Sequence, residues 1–279
     1  MAKRKKTSFR LLKEIMAVLL ALTIFGIPFY FMFLNSVKNR QEAGLANLDL
    51  PERFLFLENY SQVIETNNYM VVRAFFNSAY ITVVNIILLV IICSLGGYIL
   101  ARVGGKLMNG ISFFLLTGLM LPPALIPTIW LLNFFGIFPS RLGLILVQAA
   151  LNIPFTAMLY RGYTSTIPRE MEEAAYIDGC GSMQMFIRII FPLLLPVTAT
   201  VTVLTGVNIF NDFVNPLYFL PGARNPTVQL TLYNFMGRFT ASWNLLFANV
   251  VLVTIPPFIL FIFCNKKIVS GITAGAVKG

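Results

Sequence analysis

Residues 172–196 read Glu-Glu-Ala-Ala-Tyr-Ile-Asp-Gly-Cys-Gly-Ser-Met-Gln-Met-Phe-Ile-Arg-Ile-Ile-Phe-Pro-Leu-Leu-Leu-Pro. The stretch is charged and Gly-punctuated, and it lies between long apolar runs. Counting Glu170, it keeps four carboxylates, with Glu172, Glu173 and Asp178. A short helix of this kind inside a membrane-like chain either rests on headgroups or offers a face to something soluble. Its punctuation predicts a helix over 165–179. Ser165 or Thr166 can cap the start, and Pro168 suits the first turn, where its missing N–H costs nothing. Glu170, Glu172 and Glu173 sit where the helix dipole favours carboxylates, and Gly179 suits a left-handed cap. Ala174-Ala175 are small enough to let another surface approach. Met183, Phe186, Ile187 and Ile190 then recur at helical spacing, and Pro192 and Pro196 mark a turn. The pair reads as a helix-turn-helix along the membrane surface.

Outward from this stretch the chain is apolar. It has 279 residues, 57% hydrophobic and only 11% charged, with mean hydropathy +0.79; soluble domains carry about 25% charge. Six charge-free runs are long enough to cross a bilayer as helices: Ile15–Val37, Ala74–Ala101, Leu107–Ser140, Leu142–Tyr160, Ile189–Asn211 and Phe239–Asn265. The fold class is therefore all-α and polytopic, with six transmembrane helices. The third run contains Leu121-Pro122-Pro123 and Pro127, which should kink or break it, and Gly136-Ile137-Phe138-Pro139 reads as its turn out. The fifth continues past Asp212 to Phe219. The first run is too long for a signal h-region of about 7–15 residues, and no Ala-x-Ala-like site follows Phe33.

The net charge of +10 does not point to nucleic acid, because the charges cluster between apolar runs. With the N-terminus inside, the inner segments hold Lys3, Arg4, Lys5, Lys6, Arg10, Lys13, Arg102, Lys106, Arg161, Arg169, Arg188, Lys266, Lys267 and Lys278. The outer segments hold half as many: Lys38, Arg40, Arg53, Arg73, Arg141, Arg224 and Arg238. This bias predicts both termini inside and places 161–188 on the same side. The first outer loop, Lys38–Arg73, is the longest hydrophilic segment and too short for a domain of its own.

Several chemistries are excluded. There is no histidine, so imidazole acid–base catalysis and His metal sites are absent. Cys93, Cys180 and Cys264 are far apart and form no Cys-x-x-Cys; Cys93 and Cys264 read as small core residues. A P-loop needs Gly-x-x-x-x-Gly-Lys-Ser/Thr. The nearest string, Leu100–Leu107, lacks the first Gly and the hydroxyl residue. No metal or cofactor is expected in the chain. Polar residues inside the spans are candidates for a solute path: Asn85, Asn133, Gln148, Asn152, Asn208, Asn211, Asp212, Phe213 beside them, and Asn215. Each amide could equally serve an interhelical hydrogen bond.

The central stretch resembles the EAA loop of ABC-importer permeases. That family's pattern is Glu-Ala-Ala, two residues, Asp-Gly, nine residues, then Ile-x-Leu-Pro. Here it is Glu173-Ala174-Ala175, Asp178-Gly179, Ile189 and Pro192, with Cys180 where Ala is common and Phe191 where Leu is common. Lys267-Ile-Val-Ser-Gly-Ile-Thr-Ala-Gly-Ala-Val-Lys-Gly279 is similar to the tail of one permease subunit of maltose-type, carbohydrate-uptake importers. Asn211-Asp212-Phe213 with Asn215-Pro216-Leu217 resembles the family's Trp-Asn-Asp-Phe-x-x-Pro-Leu, with Phe210 for Trp.

The resemblance implies a type I importer permease fold. Its layout would be a cytoplasmic basic tail at 1–14, a transmembrane domain at 15–265 carrying a coupling loop at 161–191, and a cytoplasmic tail at 266–279. It implies a bacterial or archaeal cytoplasmic membrane. It implies four kinds of partner: two ATPase subunits that bind ATP and magnesium, a second homologous permease, an extracellular sugar-binding protein and a sugar substrate. Glu172, Glu173, Ala174, Ala175, Asp178, Gly179, Ile189 and Pro192 would couple to an ATPase. Ser270, Gly271, Thr273 and Gly275 of the tail would contact it as well. The chain itself would catalyse nothing. Within the family a solute such as glycerol-3-phosphate is the alternative, although no Lys or Arg lies well inside a run. An ATP-independent carrier would need intramembrane charge pairs, and only Asp212 is available. A scaffold with a surface helix would not need the Gly179–Ile189–Pro192 spacing.

Overall fold

The computed structural model describes residues 13–222, 225–236 and 242–276, with side chains to Ile259 and at Ile262. Helices dominate, and no extended strand occurs among the described residues. The chain divides into two compact units. One gathers the chain up to Val72 with Thr231–Ile255, and the other gathers Arg73–Leu230 with the chain from Pro256.

In the first unit, α1 (Lys13–Ser36) is a span-length helix with most of its apolar surface uncovered. Its end is anchored by polar contacts. Asn59 donates to the carbonyls of Ser36 and Lys38, each at 2.9 Å, and receives a hydrogen bond from Asn244 at 2.9 Å. Lys38 is 1% exposed. A buried ammonium needs its hydrogen bonds met, and Asn47 meets them with its carbonyl at 2.9 Å and its Oδ1 at 2.7 Å. The connection after α1 carries α2 (Arg40–Gly44), capped by Asn39, whose side chain accepts the Glu42 N–H.

The second apolar run proves to be part of a longer helix, α3 (Phe56–Arg102), interrupted where Thr66, Asn67, Asn68 and Tyr69 leave helical dihedrals. Charge-free counting started this helix at Ala74, because Arg73 ended the run. A charge does not end a helix, however, and the four-residue break lies earlier in the chain, at residues 66–69.

The second unit contains the third, fourth and fifth apolar runs. The third run breaks at Leu121–Ala124, as its prolines predict. The helices α4 (Lys106–Met120) and α5 (Leu125–Phe134) meet at 118°. Helix α6 (Arg141–Thr164) begins where the Ser140 hydroxyl accepts the Gly143 N–H at 3.0 Å, and it packs against α3 without space between. A Cβ on Gly97 would stand 2.5 Å from Tyr160 Cβ and 2.8 Å from the Arg161 nitrogen. The fifth run is two helices, α8 (Ser182–Leu193) and α9 (Leu195–Phe210), bent by 70° beside Pro192 and Pro196. The continuation past Asp212 is a separate short helix, α10 (Val214–Phe219). The last helix, α11 (Trp243–Ala276), crosses from the first unit to the second at Pro256-Pro257.

By length and composition α1, α3 and α6 can each cross a bilayer, the bent pairs raise this to five, and Trp243–Ile259 adds a shorter apolar helix. The basic tail before Lys13, Arg224 and Arg238 lie outside the described residues.

Candidate functional site

The helix-turn-helix forms, with one boundary moved. Ser165 and Thr166 do not start a helix. They end α6, turning their hydroxyls back to the carbonyls of Arg161 and Tyr163 at 3.0 and 2.7 Å. The new helix, α7 (Glu170–Ile177), starts after Pro168 and has no side-chain cap. The reason is that Pro168 disfavours helical dihedrals at the residue before it, so both hydroxyls remain with the helix they follow. The far end is as expected: Gly179 has φ +82°. Its N–H reaches the Tyr176 carbonyl and that of Cys180 reaches the Ala175 carbonyl, both at 3.0 Å, which closes a Schellman cap.

The two faces of α7 differ. Inward, Ala175 is buried, and Glu172 is held by two residues of α3. Arg102 Nε donates to Glu172 Oε1 at 2.6 Å, and the Tyr98 hydroxyl donates to Oε2 at 3.0 Å. A second Arg102 nitrogen donates to the Ile167 carbonyl at 2.8 Å. The two charged side chains are only 11% and 15% exposed, so this pair is screened far less than a surface one. Outward, Glu173, Ala174, Asp178 and Gly179 are exposed, with Tyr176 at 78% and Ile177 at 85%. The following helix, α8, is anchored by buried Phe186 and Ile190, with Met183 and Ile187 outward; Ile189 is half-buried and Pro192 exposed. Of Ala174-Ala175, expected to be one small contact surface, only Ala174 is available, because Ala175 packs on its own chain. The result is a carboxylate-and-apolar tip on a rigidly held loop.

Four of the interior polar candidates, Asn85, Gln148, Asp212 and Asn215, form one hydrogen-bonded knot. Asp212 Oδ2 accepts from Gln148 Nε2 at 2.9 Å and from Asn215 Nδ2 at 2.7 Å, and its Oδ1 accepts the Asn215 N–H at 3.1 Å. Gln148 Oε1 in turn accepts from Asn85 at 3.2 Å. The knot ties α3, α6 and the α9–α10 turn together. The space beside it measures about 10 Å³, at the lower limit for one water and far below a sugar ring. Asn152 donates to the Gln148 carbonyl one turn back, and Phe213 is half-buried. Asn208 and Asn211 lie apart from the knot, exposed on one face of α9; Asn211 accepts from Gln229 at 3.0 Å. Asn133 and Asn85 bond to carbonyls of their own helices. Ser270, Gly271, Thr273 and Gly275 fall within the run of α11, but their side chains lie outside the described residues.

Sequence reading overlooked a cleft of about 390 Å³ lined by Arg73, Phe76, Asn77, Tyr80, Arg141, Asn225 and Pro226. Arg141 lies over the Tyr80 ring, 6.0 Å from its centroid, and donates twice to Asn225 Oδ1 at 3.2 and 2.8 Å. Asn77 fixes the facing loop through the carbonyls of Asn225 and Pro226 at 3.0 and 2.9 Å. Counting Arg73 and Arg141 only as topology markers hid it. The signal was Arg73, Phe76, Asn77 and Tyr80 on one helical face.

Comparison with known proteins gives a consistent result. The family model described as "Binding-protein-dependent transport system inner membrane component" matches residues 93–273. The Melibiose/raffinose/stachyose import permease protein MelC of Bacillus subtilis is 31% identical over 261 residues, covering 91% of each chain. The Probable starch degradation products transport system permease protein AmyC of Thermoanaerobacterium thermosulfurigenes is 34% identical, covering 90% of this chain and 91% of its own. Among solved structures, a chain of a bacterial ABC transporter involved in the import of the acidic polysaccharide alginate superposes with TM-score 0.78 at 21% identity, covering 93% of this chain and 97% of its own. At that identity the likeness shows the fold alone.

Proposed function

The chain belongs to the family of binding-protein-dependent transport system inner membrane components, as an ABC transporter permease, and on that premise we propose that it forms half of the path of an ATP-driven importer of oligosaccharides. The relatives' sugar names support the substrate class. The remaining half would come from a second, homologous permease, and solute would arrive on an extracellular sugar-binding protein. ATP and magnesium would be bound by two separate ATPase subunits, since this chain has no P-loop. Both termini and the 161–191 loop would face the cytoplasm in a bacterial or archaeal cytoplasmic membrane.

The observation that carries the proposal is the asymmetry of α7. Its inner face is fastened to α3, while its outer face presents Glu173, Ala174, Tyr176 and Ile177 to no partner among the described residues. An exposed apolar tip flanked by carboxylates suits a protein cleft better than lipid, because burying the carboxylates in hydrocarbon is costly. ATP-driven closure of the ATPase pair would then move the loop as a lever. Such coupling requires the ATPase to hold the loop differently in its two states. The tail with Ser270, Gly271, Thr273 and Gly275 would add a second ATPase contact.

Exposed Asn208 and Asn211 would line the path shared with the second permease, where amides can serve sugar hydroxyls. Asp212, Asn215 and Asn152, bonded within their own chain, would shape the wall behind them, with Phe213 beside them. The test is co-expression with the candidate ATPase and partner permease, comparing wild type with Glu173→Ala. Capture of the ATPase by wild type and at least tenfold less by the variant is expected. Absence of capture by wild type in the presence of the partner permease would overturn the importer reading.

A further inference from the structure

We infer that Arg102 and Tyr98, at the end of α3, are the positioning residues that carry movement of the coupling loop into the membrane, acting through Glu172. The inference rests on the reading of that loop as the ATPase-docking element, and it separates two properties that docking alone would merge: holding the ATPase and transmitting its motion.

Three attachments converge on the last turn of α3. Arg102 holds the Ile167 carbonyl in the connection before α7. Arg102 and Tyr98 together hold both oxygens of Glu172 within α7. The Tyr98 ring also leans on Phe186 of α8, with centroids 5.5 Å apart. One helical turn therefore grips the connection and both arms of the helix-turn-helix. Apart from this grip, α7 has little to fix it: eight residues with one buried side chain, Ala175. A helix that short has negligible stability by itself. A push on Tyr176 or Ile177 would pivot it about its flanking turns unless α3 resists.

What α3 receives, it can pass on without slack. At Gly97 its backbone lies directly on α6, with no room for even a Cβ. Further along the same helix, Asn85 is hydrogen-bonded to Gln148, the residue that holds Asp212. From Arg102 to Asn85 is about 25 Å at 1.5 Å per residue. The loop is thereby linked by continuous helix and close packing to the α9–α10 turn, which bears the exposed amides Asn208 and Asn211 on its preceding turn. Glu172 consequently faces its own chain. The carboxylates left exposed for an ATPase are Glu170, Glu173 and Asp178.

The experiment uses the complex of this chain with its ATPase and partner permease, with native cysteines replaced by serine and Asn208→Cys as reporter. Labelling of that thiol by an impermeant maleimide is timed with and without AMP-PNP. Arg102→Gln is expected to keep ATPase capture within twofold of the reporter chain but to reduce the nucleotide-induced change in labelling rate at least fivefold. The exchange Arg102→Glu with Glu172→Arg restores the pair in reverse and is expected to recover that change to within twofold, which a loss of packing alone would not allow. An Arg102→Gln complex that responds to AMP-PNP like the reporter chain overturns the inference. So does loss of capture in Arg102→Gln, which would make the clamp a docking device, and so does a captured but unresponsive exchange variant. A reporter chain that captures the ATPase yet shows no response overturns transmission through this loop and leaves docking intact. A reporter chain that captures nothing overturns docking itself.

Discussion

Glu172–Gly179 and the Asp212 knot are both polar insertions in an apolar chain, and they place their carboxylates differently. Asp212 accepts three hydrogen bonds from Gln148 and Asn215, and the space beside it is about the size of one water. On α7, Glu172 is held inward in the same manner, but one residue later Glu173 is exposed, followed by Ala174, Tyr176 and Ile177. The Asp212 carboxylate is met by its own chain, although Asn85 Oδ1 behind it is buried without a partner, whereas the loop presents groups that the described residues leave uncovered. A carboxylate's residue type says nothing of which role it has; the direction of its lone pairs does.

The sharpest way to break this comparison is to remove Asp212. Asp212→Ala leaves the amides of Gln148 and Asn215 without their acceptor, and Gln148 is buried. Each unmet buried donor costs about 1–3 kcal/mol, so the unfolding midpoint in detergent should fall clearly, with ATPase capture per folded chain unchanged. Gly179→Ala comes next. A side chain at φ +82° costs about 1–2 kcal/mol, felt locally, and should appear as faster amide exchange over α7 without a shift elsewhere. Tyr176→Ala removes an exposed side chain and should change stability by no more than about 0.5 kcal/mol while weakening ATPase capture several-fold. If it destabilised the fold as much as Asp212→Ala, the distinction between knot and open loop would collapse. The smallest effect belongs to Arg53→Ala. The Arg53–Glu58 pair is 3.5 Å apart with side chains 80% and 55% exposed. Such pairs contribute about 0–1 kcal/mol, and 0.5 M salt should erase any difference from wild type.

Much of this was legible in the residues. Paired prolines at 122–123 announced a broken helix, because neither supplies an N–H and each crowds the preceding turn. Gly179 announced its cap because a left-handed residue is needed where α7 stops. The spacing from Glu173 to Pro192 announced the loop. Three features were not legible. The inward and outward sides of α7 depend on where Arg102 stands, some 70 residues earlier, and an eight-residue helix shows no reliable stripe. Asp212 looked like a solute contact because its partner Gln148, and Asn85 behind that, lie on other helices. Ser165 and Thr166 looked like caps because a hydroxyl before Pro can bond forward to open N–H groups or backward to carbonyls, and only the preceding helix decides.

The broken pair α4–α5 bears on how the chain is made. At 1.5 Å per residue the two helices are about 22 and 15 Å long, each short of a hydrocarbon core of about 30 Å. Neither can leave the ribosome and settle in lipid as a finished pass, and the backbone of Leu121–Ala124 would be intolerable there uncovered. Gly118 of α4 packs on Pro154 of α6, 3.3 Å from the ring for a Cβ placed there. Packing on α6 nevertheless leaves all four residues of the break exposed, so the cover that this backbone needs at membrane depth has to come from outside the described residues of this chain.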